Sequence, residues 1–395
     1  MGKNKHSTSN HFHLSKTQRR KLRNKAKKAQ YALINGDDKP KRIKVSLTHK
    51  KIDKVDRETE RFQLLHREIV EFANKVEPRG KELSLRENTI KIFTDIMEEG
   101  FPNWIVKVFG SYSQGTQTIY SDLDFVVFKS KDDDLINDYD MLRIIKDYLY
   151  KKYFSYKMRL IKAKVPIIKA TCQRTGINLD ISVNRFNGCA AAVIINNRLR
   201  ENPVLHPIIL LLKMVLRKAK LNEPHTGGMG SFLLFSLVFF YYQRIVKNQG
   251  GLLEIDPGKG ILDVETAWSE EESAIHSEDN SLEANEELLK RLNAQMNYGK
   301  FLNGFLKFCS TFDYENITVS LRKGGMFLQK KTLDDDDDIQ NYSSLSVENF
   351  QDKNLNIGRS CYNFWEIQEE FSNVLSLIEN KIASNDKSIL SALNL

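Results

Sequence analysis

Apolar residues recur at helical spacing at Phe62, Leu65, Ile69 and Phe72, which predicts an amphipathic helix over residues 58–76. Further along, the period shortens to two. Leu123, Phe125 and Val127 alternate with Asp122, Asp124, Val126 and Phe128, and this reads as a strand carrying two carboxylates on one face. A second alternation sets Ile177, Leu179, Ile181 and Val183 against Asn178, Asp180, Ser182 and Asn184, after the apolar run VPIIKATC at 165–172. Residues 139–150 return to helical spacing. From about residue 197 the pattern is mainly helical: IILLLKMVL is apolar nearly all round, Phe301, Phe305 and Phe308 share one helix face, and another helix begins near Trp365. The longest apolar run, 232–242, is too short to span a bilayer and reads as a buried core helix.

The two alternating segments carry the chemistry. Asp122 and Asp124 stand at i and i+2, so their charges repel unless a cation holds them together. Hard carboxylate oxygens of this kind suit Mg2+ or Mn2+, with positions left for water and phosphate. About a dozen residues upstream, Gly110, Ser111 and Gly115 in FGSYSQGTQTIYSDLDFVVF are suited to a turn whose N–H groups and hydroxyls face an anion. A short helix opening after Ser111 would turn its positive end to the same anion. Asp180 supplies a third carboxylate on a later strand. The plainer alternative is a polar turn with surface aspartates at strand starts.

Gly-Ser, then Asp-x-Asp, then a single Asp on a later strand resembles the nucleotidyltransferases of the DNA polymerase beta superfamily. LHPIILLLKMVLRKAKLNEPHTGGMGSFLLFSLVFFYY at 205–242 is similar to the central-domain helices of the poly(A) polymerases found in TRAMP complexes. YGKFLNGFLKF and NLNIGRSCYNF resemble a later helix of that family and its nucleotide-recognition loop. The resemblance implies an α+β fold: a nucleotidyltransferase palm of mixed sheet and flanking helices at 81–190, and a mainly helical central domain at 191–378. The recognition loop would lie at 345–365. A helix at 56–80 would pack on the central domain, and the ends, 1–55 and 379–395, would be a basic disordered tail and a C-terminal tail.

Carried onto these residues, the resemblance implies that Asp122, Asp124 and Asp180 are catalytic and hold two Mg2+ ions, for which Mn2+ can substitute. One ion would activate an RNA 3′-hydroxyl and the other would neutralise the triphosphate. Gly110 and Ser111 would hold the β and γ phosphates. Lys213 interrupts an apolar helix, where an unpaired ammonium is costly, so either a phosphate meets it or its stem snorkels to solvent. Arg217, one turn on, would reach the same anion. Ser231 and Phe232 fall where the family contacts the nucleotide, although Phe232 stands where uridylyl-transferring relatives often have tyrosine. It would stack on a base or pack in the core.

Relatives that use UTP carry a histidine near the recognition loop; residues 346–365 contain none. ATP is therefore the expected substrate, with Asn356 and Arg359 as recognition residues, and uridylyl transfer is the alternative. The loop reads VENFQDKNLN and lacks the family's usual proline. An Asn there could instead cap the following helix. A catalytically inactive RNA-binding scaffold is the alternative from another class.

Composition completes the picture. The net charge of +9 is divided unevenly: residues 1–50 hold fifteen Lys and Arg against two Asp, and the remainder carries −4. KTQRRKLRNKAKK would serve as a nuclear-localisation signal, as an arm for RNA phosphates, or simply as a solubilising tail. With no RNA-binding module in a body that is slightly acidic, a separate RNA-binding targeting subunit is expected beside the RNA 3′ end and the RNA-decay machinery. No membrane partner is expected. Four scattered cysteines, Cys172, Cys189, Cys309 and Cys361, show neither disulfide nor zinc spacing. The expected location is the nucleus, including the nucleolus, with the cytoplasm as alternative. No apolar leader opens the chain, which argues against secretion. The acidic stretches 265–287 and 334–338 read as solvated loops.

Overall fold

The computed structural model describes residues 49–129, 136–162, 165–251, 280–330, 345–352, 354–384 and 386–395. The basic segment 1–48, most of the acidic stretch 265–287 and all of 334–338 lie outside the described residues. The chain opens with two helices, α1 (His49–Val76) and α2 (Lys81–Gly100). The palm then follows in chain order as β1 (Ile105–Phe109), the one-turn α3 (Gly110–Ser113), β2 (Leu123–Phe128), α4 (Asp138–Lys151), β3 (Arg159–Ile161), β4 (Ile167–Thr171), β5 (Asn178–Val183) and α5 (Phe186–Glu201).

Its five strands lie in the order β1-β2-β5-β4-β3, and β2 and β5 form the parallel pair. The alternation dictates how the sheet is covered. Leu123, Phe125, Leu179 and Ile181 point to one face, where α2 (Phe93, Met97) and α4 (Met141, Leu142, Ile145, Leu149) bury them. On the other face Val126 and Phe128 pack against Cys189 of α5, while Asp124 and Asp180, nearer the strand starts, stay uncovered by that helix. Ser182, on the polar face of β5, is buried and donates to the carbonyl of Phe125 at 3.2 Å. Asp122 lies one residue before β2, so only Asp124 of the pair is a strand residue.

The second body is built from α6 (Leu205–Lys218), α7 (Ser231–Asn248), α8 (Asn280–Gln295), α9 (Tyr298–Thr311) and α10 (Phe364–Ser384). Helices α6 and α7 are apolar on nearly every side because other helices surround them. Phe62, Leu65 and Ile69 of α1 sit in the same core, so the first helix belongs to this body in space. The body is not purely helical: β6 (Ile317–Ser320), β7 (Met326–Gln329) and β8 (Ser346–Val347) form a small sheet in the order β7-β6-β8. Strands of four, four and two residues are too short to show an alternating pattern. The C-terminal tail expected from residue 379 is also corrected. Helix α10 continues to Ser384, and the chain then folds back with Ile389 and Leu393 buried. The Glu68 carboxylate on α1 accepts from the N–H groups of Ile389 and Leu390, each at 2.9 Å. Among the described residues no helix is long and apolar enough to cross a membrane, and all four cysteines are buried free thiols.

One buried side chain ties the palm's helix α2 to the loop ahead of β2. The Arg86 guanidinium is 1 % exposed and donates to the carbonyls of Thr118, Ile119 and Ser121 at 3.1, 3.0 and 3.2 Å. Glu82, one turn earlier, accepts from it at 3.2 Å. One guanidinium nitrogen meets the Glu82 carboxylate while another meets the three carbonyls; the single nitrogen of a lysine does not span both sets of acceptors. Replacing Arg86 by Leu strands buried carbonyls, so urea unfolding should show a loss of about 3 kcal/mol. Arg86→Lys should recover less than half of it. A loss well under about 1 kcal/mol would mean that the loop is held by other contacts.

Candidate active site

The site forms where β1 ends and β2 begins. Gly110 adopts a left-handed φ of 64°, which turns the chain from strand into α3 and aims the Ser111 N–H at the Asp124 carboxylate. No side chain fits at this glycine: a Cβ would stand 2.0 Å from Asp124 Oδ2. The turn is braced from within, with Ser113 Oγ donating to Val108 O at 2.7 Å and Thr116 N–H to Ser111 O at 2.9 Å. It is braced from outside by Asn196 of α5, which donates to Ser113 O at 3.0 Å.

Strand register then sets the carboxylates against each other. Asp124 is the direct partner of Asp180 across the parallel β2–β5 pair, so both side chains rise from the same sheet face on adjacent strands. Burial pushes the Asp124 carboxyl up to about 7, reinforced by the charges of Asp180 and Asp122 and opposed by Lys213 and the Ser111 N–H. Burial likewise raises Asp180, against the pull of Lys169, whose Nζ lies 2.8 Å from Asp180 Oδ2. Burial, the largest single influence, would lower Lys169, but the bond to Asp180 together with the charges of Asp180, Asp122 and Glu223 holds it above the usual lysine range.

Lys213 reaches the site from the helical body. Burial brings its ammonium down to about 8, with Asp124 opposing the shift, and its Nζ donates to Thr116 O at 2.7 Å. It does not snorkel out to bulk solvent; it spans the two bodies and ends beside the carboxylates. Arg217, one turn later, lies over the Tyr120 ring with 4.9 Å to the centroid. The turn at 224–230 leads into α7 and presents Ser231 and Phe232. Phe232 is half-buried and meets the buried Phe350 edge-on, so it is both a cavity wall and a core neighbour.

Gly110, Ser111, Asp122, Asp124, Asp180, Lys213, Arg217, Ser231 and Phe232 thus line one cavity of about 480 Å³ between palm and helical body. Asn356 and Arg359 do not line it. The Asn356 amide is engaged within its own loop: Oδ1 accepts from the N–H groups of Val347 and Gly358 at 3.0 and 2.8 Å, and Nδ2 donates to Leu345 O at 3.2 Å. The expectation that it reads a base gives way to a structural role. Arg359 is exposed. The loop instead touches the site through its end, where Asn363 Nδ2 donates to Thr226 O at 3.0 Å and the Tyr362 ring covers Gly227. Among the cavity residues that escaped the sequence reading are Lys169 and Tyr120. Lys169 had a signal, being the one charged residue in the apolar run at 165–172; Tyr120 had none.

The donor set fits divalent cations. Three carboxylates converge with more negative charge than Lys169 and Lys213 relieve, as the raised Asp124 and Asp180 carboxyls record. Among the described residues no group of three or more Asp, Glu, His or Cys side chains is placed to hold a metal ion by itself. Hard carboxylate oxygens suit Mg2+ or Mn2+, which take water and phosphate oxygens among their ligands.

A carboxylate-bearing palm, a Gly-Ser turn and a helical body closing the cleft define a nucleotidyltransferase core. Residues 65–197 match the family described as poly(A) RNA polymerase, mitochondrial-like, central palm domain, and residues 297–354 match the Cid1 family poly A polymerase domain. Poly(A) RNA polymerase protein 2 of Saccharomyces cerevisiae is 28 % identical over 321 residues, covering 80 % of this chain and 47 % of that protein. The chain therefore spans about half the length of such relatives. Among solved structures, the polymerase core of TRAMP, an RNA surveillance complex, superimposes with a TM-score of 0.63 at 24 % identity, covering 85 % of this chain and 92 % of that one. The Cid1 poly(U) polymerase superimposes with a TM-score of 0.60 at 18 % identity, covering 83 % and 98 %. Two separate segments of the chain, 65–197 and 297–354, are thus similar to the palm and the associated domain of noncanonical poly(A) RNA polymerases.

The raised Asp124 carboxyl has a pH signature. Below the ordinary carboxylate value of 3.8 both folded and unfolded chains hold this proton; between there and about 7 only the folded chain does. Its favourable contribution is therefore present at low pH and is lost as pH rises through about 7. In chelator, the melting temperature should fall between about pH 5 and about pH 8, and Asp124→Asn should flatten that slope. Mn2+ added near the upper end should raise the melting temperature of wild type more than that of Asp124→Asn. Equal responses would remove Asp124 from the cation site.

Proposed function

We propose that this chain transfers AMP from ATP to the 3′-hydroxyl of RNA without a template. The observation that carries the reading is the single cavity holding Ser111, the three carboxylates and Lys213. When bound at Asp122, Asp124 and Asp180, two Mg2+ ions would acidify the attacking hydroxyl and neutralise charge on the triphosphate. The chain's own groups do the positioning. Gly110 lets the Asp124 carboxylate approach the backbone closely, and Ser111 would offer its hydroxyl to the triphosphate beside it. Lys213, already desolvated, meets developing phosphate charge at full strength because little water screens it. Arg217 lies over Tyr120 at the rim, and Phe232 offers a ring to the base.

ATP is favoured by the absence of histidine from 346–365 and by relatives named as poly(A) polymerases. The resemblance to a polymerase core from an RNA surveillance complex supports a role in nuclear RNA surveillance with a separate RNA-binding subunit. The basic segment 1–50 fits both nuclear import and a loose grip on RNA. Extension of an RNA primer with each of the four NTPs and Mg2+ tests the reading. Wild type should use ATP in preference, and the Asp122→Ala, Asp124→Ala double variant should lose more than about a hundredfold in rate. Dominant UTP use would make the chain a uridylyltransferase, and unchanged extension by the double variant would remove the carboxylates from the chemistry.

A further inference from the structure

Strand register continues the site beyond its carboxylates. Asp124 faces Asp180, Asp180 faces Lys169, and Lys169 faces Arg159 on the edge strand β3, so four charged positions form one row across the sheet. At the usual strand spacing Arg159 lies about 10 Å from Asp180 on the same face. The row changes sign midway, from two acids to two bases. The triphosphate cradle of Gly110 and Ser111 adjoins the β1 and β2 side of Asp124, whereas the bases lie on the opposite side. A strand whose 3′ end sits at the carboxylates leaves past Lys169 and Arg159.

Beyond the β3 edge, around the C-terminal end of α4, the helix that covers the opposite sheet face, three tyrosines stand out from the surface. Tyr150, Tyr153 and Tyr156 are 58, 69 and 56 % exposed, and Tyr156 meets the other two edge-on with centroids 6.2 and 6.4 Å away. Exposed Lys157 follows directly. Tyr153 holds a left-handed φ of 55° where α4 stops. The N–H of Phe154 bonds to Leu149 O at 3.0 Å, so Tyr153 fills the position after the helix at which glycine is usual. An exposed tyrosine kept in a strained backbone gains nothing for the fold from its ring. The group is fixed to the sheet at the end carrying Asp180: Gln173 N–H bonds to Phe154 O at 2.9 Å, and Thr171, whose partner is Asn178, bonds through its N–H to Ser155 Oγ at 3.4 Å.

We propose that Lys169, Arg159 and, around the β3 edge, the tyrosine platform form the track for the single-stranded RNA upstream of the reacting 3′ end. Cations follow the phosphates and aromatic rings take the bases, a combination that grips single strands without reading sequence. The proposal rests on the RNA 3′ end being the substrate. It gives a slightly acidic body a local basic and aromatic surface for that strand.

Fluorescence anisotropy of the full chain with an oligoadenylate of about 15 nucleotides tests the track. Tyr153→Gly, which suits the backbone at that position, combined with Tyr156→Ala should weaken binding by at least about tenfold. Arg159→Ala should lower the slope of log affinity against log salt by about 0.7, as expected for one lost phosphate contact on a single strand. Melting temperature and ATP binding serve as fold controls. Independently, photoreactive thiouridine placed upstream of the 3′ end should crosslink to the segment 150–159. If wild type binds and extends RNA while the variants bind equally well and crosslinks map elsewhere, the track is wrong and the activity stands. If wild type neither binds nor extends RNA, the substrate reading fails and the track falls with it.

Discussion

Two carboxylates placed opposite each other on adjacent parallel strands govern the organisation of this molecule. Asp124 and Asp180 have no freedom to separate, because the β2–β5 register that pairs them also buries Leu123, Phe125, Leu179 and Ile181 beneath the sheet. Slipping the register by one residue would turn those apolar side chains toward solvent. The hydrophobic core therefore holds the repulsion in place, and the raised Asp124 carboxyl is its electrostatic record. A cleft built this way keeps carboxylate charge that the protein itself does not fully compensate.

The surrounding contacts limit how that repulsion can relax. Arg86 fixes the loop before Asp122 by its backbone carbonyls, while the Ile119 N–H bonds to Val76 O at 2.8 Å and ties the same loop to the end of α1. Lys213 does the corresponding work from the other body, joining α6 to the palm through Thr116 O. A single ammonium is thus a strut between two bodies and a countercharge to the site. Its double use links the charge balance of the site to the way palm and helical body meet.

Residue patterns disclosed those parts of the site whose meaning is local. Asp122, Asp124 and Asp180 stand out because each is a charge on the polar side of an apolar alternation, and Gly110 with Ser111 because a turn must precede a strand. Lys213 stands out against its apolar helix. Arg86 does not, since it looks like any charged residue of an amphipathic helix until its three acceptors, 32 to 35 residues away, fold against it. Lys169 likewise takes its meaning from a partner on the next strand. Asn356 shows the opposite error: an amide in the expected loop invites a base-reading role, yet backbone groups close by occupy both its ends. The small second sheet and the folded-back C-terminal segment were hidden because short strands lack a period, and because the site that seats Ile389 and Leu390 is a carboxylate on α1, 321 residues earlier.

The distribution of charge has a mechanical logic. Over residues 51–395 the chain carries −4, so cations that touch substrate must be placed individually. Lys213 is committed to Thr116 and faces Asp124; Lys169 is committed to Asp180. Each is held by the carboxylate or carbonyl it relieves, which keeps it from collapsing at random when the cleft is empty and leaves it aimed when a phosphate arrives. Prepaid orientation of this kind lets a modest number of charges act strongly in a desolvated cleft. The same restraint keeps total attraction for a polyanion low outside the basic N-terminal segment.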